Sequence, residues 1–372
     1  MRACEAGPVA STRRVLALGE RMLAAPIRLP ATAAEVLLAP VRDDLRRGVR
    51  RSFGMPEEPP PRVHDPGSAF LPPGGVAREV HGDLPSMVIG GLAALLLQTL
   101  HPLAMAGVAE RSLYKDDPIG RLRRTASFVG ATTFGSVEQA QAAIDEVRAV
   151  HRDVRGRAPD GRPYSATDPE LLTWVHVAEM HSFLTACQRY GARRLGPAEC
   201  DRYYAETAVV ARMLGARWVP DSAEEVDAYF RRVRPELYAG HQALEARDFL
   251  LHGVARRPED RVLYACIVAG AVAILPRWAR TELHIPAVPL VDDLAVVPGV
   301  RSVCAALRWA LAPSRPHGSP ATSPAPTSSA RATRTGGGSR AARSAGGTRN
   351  VGRSRAARNV GGGRAARNGS GR

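Results

Sequence analysis

The sequence has few cysteines, and none of them is paired in a Cys-x-x-Cys motif. The five are widely spaced and odd in number: Cys4, Cys187, Cys200, Cys266 and Cys304. This pattern argues against both a secreted disulfide framework and a zinc ribbon, and it indicates a reducing compartment.

The common signatures of nucleotide-binding and hydrolytic enzymes are also absent. The chain contains no Walker loop, no Gly-x-Gly-x-x-Gly turn, no Gly-x-Ser-x-Gly elbow and no His-Glu-x-x-His box. The segment HVAEMH at 176–181 is nearest to a metal box. Its histidines are five positions apart, which places them about 140° apart on a helix instead of on one face. We therefore interpret this segment as an ordinary helix.

Acidic residues are missing from residues 313–372, which contain twelve arginines and three copies of Arg-Ala-Ala-Arg. The remaining composition is mostly Pro, Ser, Thr, Ala and Gly, so this tail cannot bury a core and is predicted to be disordered. Two interpretations stay open: a solvated extension, or a weak electrostatic contact with nucleic acid or an anionic membrane. The lack of interleaved aromatic residues for base stacking favours the first.

Residues 1–312 carry 39 basic against 36 acidic side chains and are long enough to bury a large core. Strand-like alternation is nearly absent, so the sequence predicts an all-α fold with its main domain at 76–312. Residues 1–75 are predicted to be a helical extension with a Pro-rich connector. The extension has apolar residues at helical spacing: Val36, Leu37, Val41, Leu45 and Val49.

Two apolar runs raise the question of a membrane span. Residues 84–109 contain no formally charged side chain, but they include Pro85, a Gly-Gly pair and His101-Pro102. Because lipid would leave the imidazole and the broken backbone ladder unsatisfied, we expect a buried helix ending near His101. The run 262–275 is too short for a span and is also expected in the core.

The amino terminus shows no export signal. An apolar stretch follows Arg13-Arg14, but Glu20 and Arg21 end it too early for a signal-peptide core. The predicted location is cytoplasmic or peripheral to the membrane.

His151 lies on an apolar face of a predicted helix. Ala140, Ile144, Val147 and His151 follow one another at spacings of four, three and four, while charged residues occupy the other faces. The imidazole is therefore expected to project toward the core. Such a residue is either a hydrogen-bonded core histidine or a ligand, and the spacing leaves both open.

A second helix carries Arg121, Thr125, Phe128 and Thr132 at the same spacing, with Arg124 on the adjacent face. A guanidinium, a hydroxyl and a ring on one stripe would suit a buried anion such as a carboxylate, because arginine stays charged when partly desolvated. The alternative is a solvated basic helix end.

His101 and His176 lie at a helix end and on an aromatic-rich helix. We interpret them first as hydrogen-bonded core histidines and second as pocket residues.

Several segments in a fixed order resemble the rubber oxygenase catalytic-domain family, which includes latex clearing protein and the membrane-bound oxygenase of mycophenolic acid biosynthesis. The segments are GGLAALLLQTLHPLAMAGVAERS at 90–112, RLRRTASFVGATTFG at 121–135, VRAVHRDVRG at 147–156, YSATDPELLTWVHVAEMHSF at 164–183 and LPRWAR at 275–280. The resemblance covers roughly residues 76–285.

The resemblance implies a globin-like all-α fold, a b-type haem and oxidative cleavage of isoprenoid carbon–carbon double bonds. His151 resembles the proximal ligand of the haem iron. Arg121 and Thr125 match the Arg-x-x-x-Thr pattern near the haem, with Arg124 at the basic position between them. The base glutamate proposed for the rubber enzyme has no clear counterpart, and Glu110 is the nearest candidate.

The sequence therefore predicts a haem-dependent oxygenase that uses dioxygen on a hydrophobic, isoprenoid or lipid-like molecule. The lack of an export signal argues against extracellular rubber as the substrate. The alternative is a non-catalytic helical protein that binds haem or lipid and is tethered to an anionic surface by its arginine-rich tail.

Overall fold

A computed structural model of the chain describes residues 39, 40, 42, 43, 66–112, 115–255 and 257–312. The all-α prediction is confirmed, since helices account for most of these residues and the sheet found among them has two short strands. In chain order the elements are α1 (Val76–Gly82), α2 (Leu84–Gln98), α3 (Pro102–Arg111), α4 (Pro118–Phe134), α5 (Val137–Asp153), β1 (Arg155–Arg157), β2 (Pro163–Ser165), α6 (Pro169–Tyr190), α7 (Pro197–Leu214), α8 (Ala223–Val233), α9 (His241–Asp248), α10 (Arg261–Ile274), α11 (Arg277–Glu282), α12 (Pro289–Val291) and α13 (Val297–Leu311).

The centre of the core is the packing of α2 against α6. Gly90 permits a close approach, because a Cβ atom there would lie 3.0 Å from both the Cα of Phe183 and the carbonyl oxygen of Ser182. Leu96 and Leu97 are fully buried on α2, as is Trp174 on α6. The expectation that the apolar run beginning at residue 84 forms core is therefore confirmed for α2.

The run 84–109 breaks where the sequence predicted. The helix α2 ends at Gln98, His101 precedes α3, and Pro102 begins it, a position where the missing N–H costs no hydrogen bond. Among the described residues no single helix is long and apolar enough to cross a membrane. The pair α1 and α2 passes that test together, but it is bent by 89°.

The helices α4 and α5 form a pair whose starts are fixed by side-chain caps. The Asp117 carboxylate accepts from the Gly120 N–H at 2.8 Å at the start of α4. Ser136 and Gln139 form a reciprocal capping box at the start of α5, separated from α4 by two residues. The chain leaves α5 through the β1–β2 hairpin and returns to the core as α6.

The expectation for 262–275 is only half right. On α10, Ile267 and Ala271 are buried, and a Cβ atom on Gly270 would lie 3.1 Å from Val300 of α13. Val262, however, is 65% exposed. One side of α10 packs against α2 and α13, and its other side is exposed to solvent.

Most of the predicted extension and the whole tail 313–372 lie outside the described residues. The four described residues near position 40 are helical. Arg42 donates to the Ala310 carbonyl at 3.5 Å, and its guanidinium lies 5.8 Å from the centre of the Trp309 ring. This part of the extension therefore contacts the end of α13.

Candidate functional site

Two of the predicted site segments converge on the last turn of α3. The Arg121 guanidinium on α4 donates to the Ser112 hydroxyl at 2.5 Å, directly after α3 ends. On the same helix, a Cβ atom at Gly107 would lie 3.6 Å from Val154, three residues after His151. The start of α4 and the chain just after α5 therefore both lie beside the second half of α3.

His151 occupies the last turn of α5 and is half-buried. Burial lowers the pKa of its imidazole, so the ring is neutral near pH 7. The ring makes no hydrogen bond to another described residue. Ala140 and Ile144, on the predicted apolar face of α5, are fully buried. The exposure of this face increases toward His151 at the end of the helix. A neutral imidazole therefore lies at the partly exposed end of the buried face of α5.

The three other predicted site residues follow one another along the first turns of α4 and differ in environment. Arg121 is half-buried, and its bond to Ser112 orients the guanidinium. Arg124 is exposed and lies 3.4 Å from the Asp117 carboxylate, while Thr125 is exposed. The basic start of α4 is therefore solvated at Arg124 and anchored at Arg121.

A tyrosine and a carboxylate brace the strand that follows His151. The Tyr164 hydroxyl on β2 donates to Glu110 of α3 at 2.5 Å. Burial, with a smaller effect of the Glu110 carboxylate, raises the pKa of Tyr164. Gly156 on β1 leaves room for this contact, because a Cβ atom there would lie 2.7 Å from the Tyr164 hydroxyl oxygen. Glu110 thus acts in the structure as an anchor for β2.

Apolar side chains around this end of the α4–α5 pair remain uncovered. Val150, next to His151, is 59% exposed, and Leu122, next to Arg121, is also exposed. Both aliphatic side chains are therefore open to contact with an apolar group.

A second polar cluster is enclosed in the core between α1, α4 and α7. The His81 ring lies 2.7 Å from the Thr133 hydroxyl and 3.0 Å from the Tyr203 hydroxyl, so both of its nitrogens have partners. Burial, helped by nearby His176, lowers the pKa of His81 to about 3. A neutral, fully bonded histidine of this kind ties three helices together.

The HVAEMH segment lies on α6 and supplies three further ionisable groups, of which His176 is buried and Glu179 and His181 are half-buried. Burial lowers the pKa values of His176 and His181 to about 4 and raises the pKa of the Glu179 carboxyl to about 7. The His181 ring packs edge-on against Phe230 with 4.9 Å between the ring centres. Within the described ranges, no three His, Cys, Asp or Glu side chains are placed to share a metal ion.

His101 was predicted to be a hydrogen-bonded core histidine, and this prediction is wrong for one of its two ring nitrogens. The residue is buried against Trp174, with 6.0 Å between the ring centres. Its Nδ1 atom is buried and has no hydrogen-bond partner. Burial lowers the pKa of this imidazole, which keeps the ring neutral.

Sequence reasoning missed His81, Tyr164 and the burial of Glu179. Their contacts join residues that are far apart in the chain, and no local motif surrounds them. The one usable signal was Tyr164 beside a short Gly-containing segment after His151, which could have indicated a hairpin.

The family model described as "ER-bound oxygenase mpaB/B'/Rubber oxygenase, catalytic domain" matches residues 78–309. The match spans more than half of the chain and includes α2 to α6, which carry every candidate site residue. No curated protein and no solved structure shows a significant similarity to the chain.

Proposed function

Because the chain belongs to the mpaB and rubber oxygenase catalytic-domain family, whose chemistry is oxygenation, we propose that it is a haem-dependent oxygenase acting on a hydrophobic alkene. The observation that carries the proposal is the half-buried, neutral and unbonded imidazole of His151 at the open end of α5. The residues around it fit a b-type haem in three respects.

The first respect is the protein ligand that the iron would need. A porphyrin supplies four nitrogen ligands to its iron, so one protein nitrogen is enough to hold it. His151 offers a nitrogen that is already deprotonated near pH 7 and has no competing hydrogen-bond partner among the described residues. We assign His151 as the iron ligand.

The second respect is charge. Haem carries two propionates, and arginines at the start of α4 can neutralise them because guanidinium stays charged when partly desolvated. The hydrogen bond to Ser112 orients the Arg121 guanidinium. Arg124 is exposed, and its guanidinium lies 3.4 Å from the Asp117 carboxylate. We assign both residues to the haem edge, with Thr125 as a hydroxyl donor one turn further along α4.

The third respect is the apolar surface. Val150 precedes His151 in the chain and Leu122 follows Arg121, and both side chains are exposed. Covering them with a macrocycle or an alkene would remove apolar area from water. Haem, once bound, supplies the iron at which dioxygen binds and reacts. The protein's part is to hold the haem from one side, orient its propionates and keep water from the open side.

The proposed substrate class is an isoprenoid or lipid-like molecule with a carbon–carbon double bond. Cleavage of such a bond by dioxygen places one oxygen atom on each of the two new carbonyl groups, so the reaction balances without an external reductant. The products, aldehydes or ketones, give a direct assay.

The test is oxygen uptake by the haem-loaded protein with squalene, with saturated squalane as the matched control. We expect uptake with squalene alone and incorporation of label from ¹⁸O₂ into carbonyl products. A haem-loaded protein that consumes no oxygen with squalene or shorter polyprenes would support the alternative, a non-catalytic haem-binding protein.

A further inference from the structure

The two most exposed aliphatic side chains of the described surface, Leu294 and Leu290, lie in one short segment. We define the apolar tip as Val288, Leu290, Val291 and Leu294, which lie just before α12, in α12 and in the π-helical turn after it. Leu290 is 70% exposed and Leu294 is 71% exposed, and the two valines are at least half-exposed. Monomeric proteins rarely leave adjacent aliphatic residues this open unless the patch binds something.

The apolar tip is held in place by ion pairs on its inner side. Arg280 donates to the Asp292 carboxylate at 2.5 Å, and both side chains are largely buried. Arg280 also donates to the Pro286 carbonyl, and Arg189 of α6 pairs with Asp293. Asp292 and Asp293 are the only acidic residues between positions 285 and 301. Asp292 is largely buried in its ion pair, and the exposed Asp293 is paired with Arg189, so neither leaves an unpaired negative charge beside the exposed aliphatic residues.

The charge beside the apolar tip is positive. Arg301 is exposed, and it lines a shallow groove with Arg189, Asp293 and Val297. Among the described acidic residues none forms an ion pair with Arg301. The patch therefore combines protruding aliphatic side chains with an uncompensated cation at its rim.

We propose that the apolar tip docks the protein onto an anionic lipid surface, with Leu290 and Leu294 inserted among the acyl chains and Arg301 at the headgroups. Surfaces that bind at the membrane interface typically combine exposed aliphatic side chains with basic residues at their edge. A protein partner is less suited, because protein interfaces concentrate aromatic residues and arginine at their centre, and the apolar tip has no aromatic side chain. This inference does not depend on the proposed function.

The experiment is a flotation assay of the full chain with phosphatidylcholine vesicles, with and without about a third phosphatidylglycerol. The matched variants are Leu294→Asp in the apolar tip and Val262→Asp on α10. Val262 is 65% exposed. It lies about 18 Å, or twelve helical residues, from the end of α10 nearest the tip. Both variants replace an open aliphatic side chain with one negative charge, so they differ chiefly in where that charge lies.

We expect the wild-type chain to float with the anionic vesicles and Leu294→Asp to bind at least about tenfold more weakly, with Val262→Asp within about twofold of wild type. Leu290→Ala together with Leu294→Ala should also weaken binding, which shows that lost apolar area matters apart from added charge. Binding should survive in part at about 1 M salt, where the screening length falls to about 3 Å and the arginine-rich tail no longer attracts vesicles.

Four outcomes would overturn the proposal. The wild-type chain could fail to bind either vesicle. The Leu294→Asp and Val262→Asp chains could bind equally well, or binding could vanish completely in high salt, which would assign it to charge alone. Finally, a wild-type dimer that Leu294→Asp converts to a monomer, without vesicle binding by either, would identify the occupant as a second copy of the chain. Thermal midpoints of the variants, expected near wild type because the sites are exposed, separate these results from misfolding.

Discussion

At the scale of single residues, the core contains an unusual number of ionisable groups in their neutral forms. His81, His176 and His181 have lowered pKa values and Glu179 has a raised one, each chiefly because burial disfavours the charged form. The uncharged form of each group favours the folded state, so the free energy of unfolding should depend on pH.

Glu179→Gln tests this directly. The pKa of Glu179 is raised from 4.5 to about 7, so its contribution to stability is complete below pH 4.5 and is lost as the pH rises through 7. Gln keeps the shape and cannot ionise. We expect the variant to lie within about 1 kcal/mol of wild type at pH 5 and to exceed it by up to about 3 kcal/mol in the free energy of unfolding at pH 8.

Chemical denaturation at the two pH values measures the difference in the free energy of unfolding. The contributions of the three histidines cancel in this difference because both proteins contain them. Glu224→Gln, at an exposed position on α8, is the matched control and should show no pH-dependent difference. Equal stability of Glu179→Gln and wild type at pH 8 would contradict the burial of this carboxyl.

At the scale of elements, the contact between α2 and α6 depends on one glycine. Gly90 faces the α6 backbone, whereas a Cβ atom on neighbouring Gly91 would meet only the Phe183 ring at 3.8 Å. The sequence showed a Gly-Gly pair in an apolar run and predicted core. It could not show which of the two glycines faces a neighbouring backbone, since that depends on how α2 is rotated against α6.

We expect Gly90→Ala to lower the free energy of unfolding by about 1–3 kcal/mol, because the added methyl group forces the two helices apart. Gly91→Ala should be neutral or stabilise by about 0.5–1 kcal/mol, since alanine restricts the unfolded chain and favours the helix. Thermal unfolding of both variants measures the difference. A more stable Gly90→Ala protein would mean that α2 and α6 are not packed this closely.

Elements also mark where sequence reasoning succeeded and where it failed. The spacing of Ala140 and Ile144 correctly predicted the buried face of α5, because a regular helix repeats that face over four turns. The β1–β2 hairpin was missed, since strands of three residues are too short to show alternation. The exposure of Val262 was missed because an apolar run of this length indicates a helix but not how many of its sides are covered.

At the scale of the whole molecule, the family and the all-α fold could be predicted from the order of motifs and from the lack of strand patterns. The convergence of Ser112, Arg121 and the residues after His151 could not, because each contact joins helices whose packing angles are set by the entire core. The sequence therefore supplied the candidate residues, and the structure supplied their neighbours. The roles of His151, Arg121, Arg124 and Thr125 stay predictions.

The central claim is that His151 holds a haem iron, and the absorption spectrum of the purified full chain, expressed with ample haem precursor, tests it. We expect a Soret band in wild type and its loss or severe weakening in His151→Ala, with helical circular dichroism unchanged. His252→Ala, at an exposed histidine, should keep the wild-type spectrum, while Arg121→Ala and Thr125→Ala should retain more haem than His151→Ala. No Soret band in wild type, or an unaltered band in His151→Ala, would contradict the assignment.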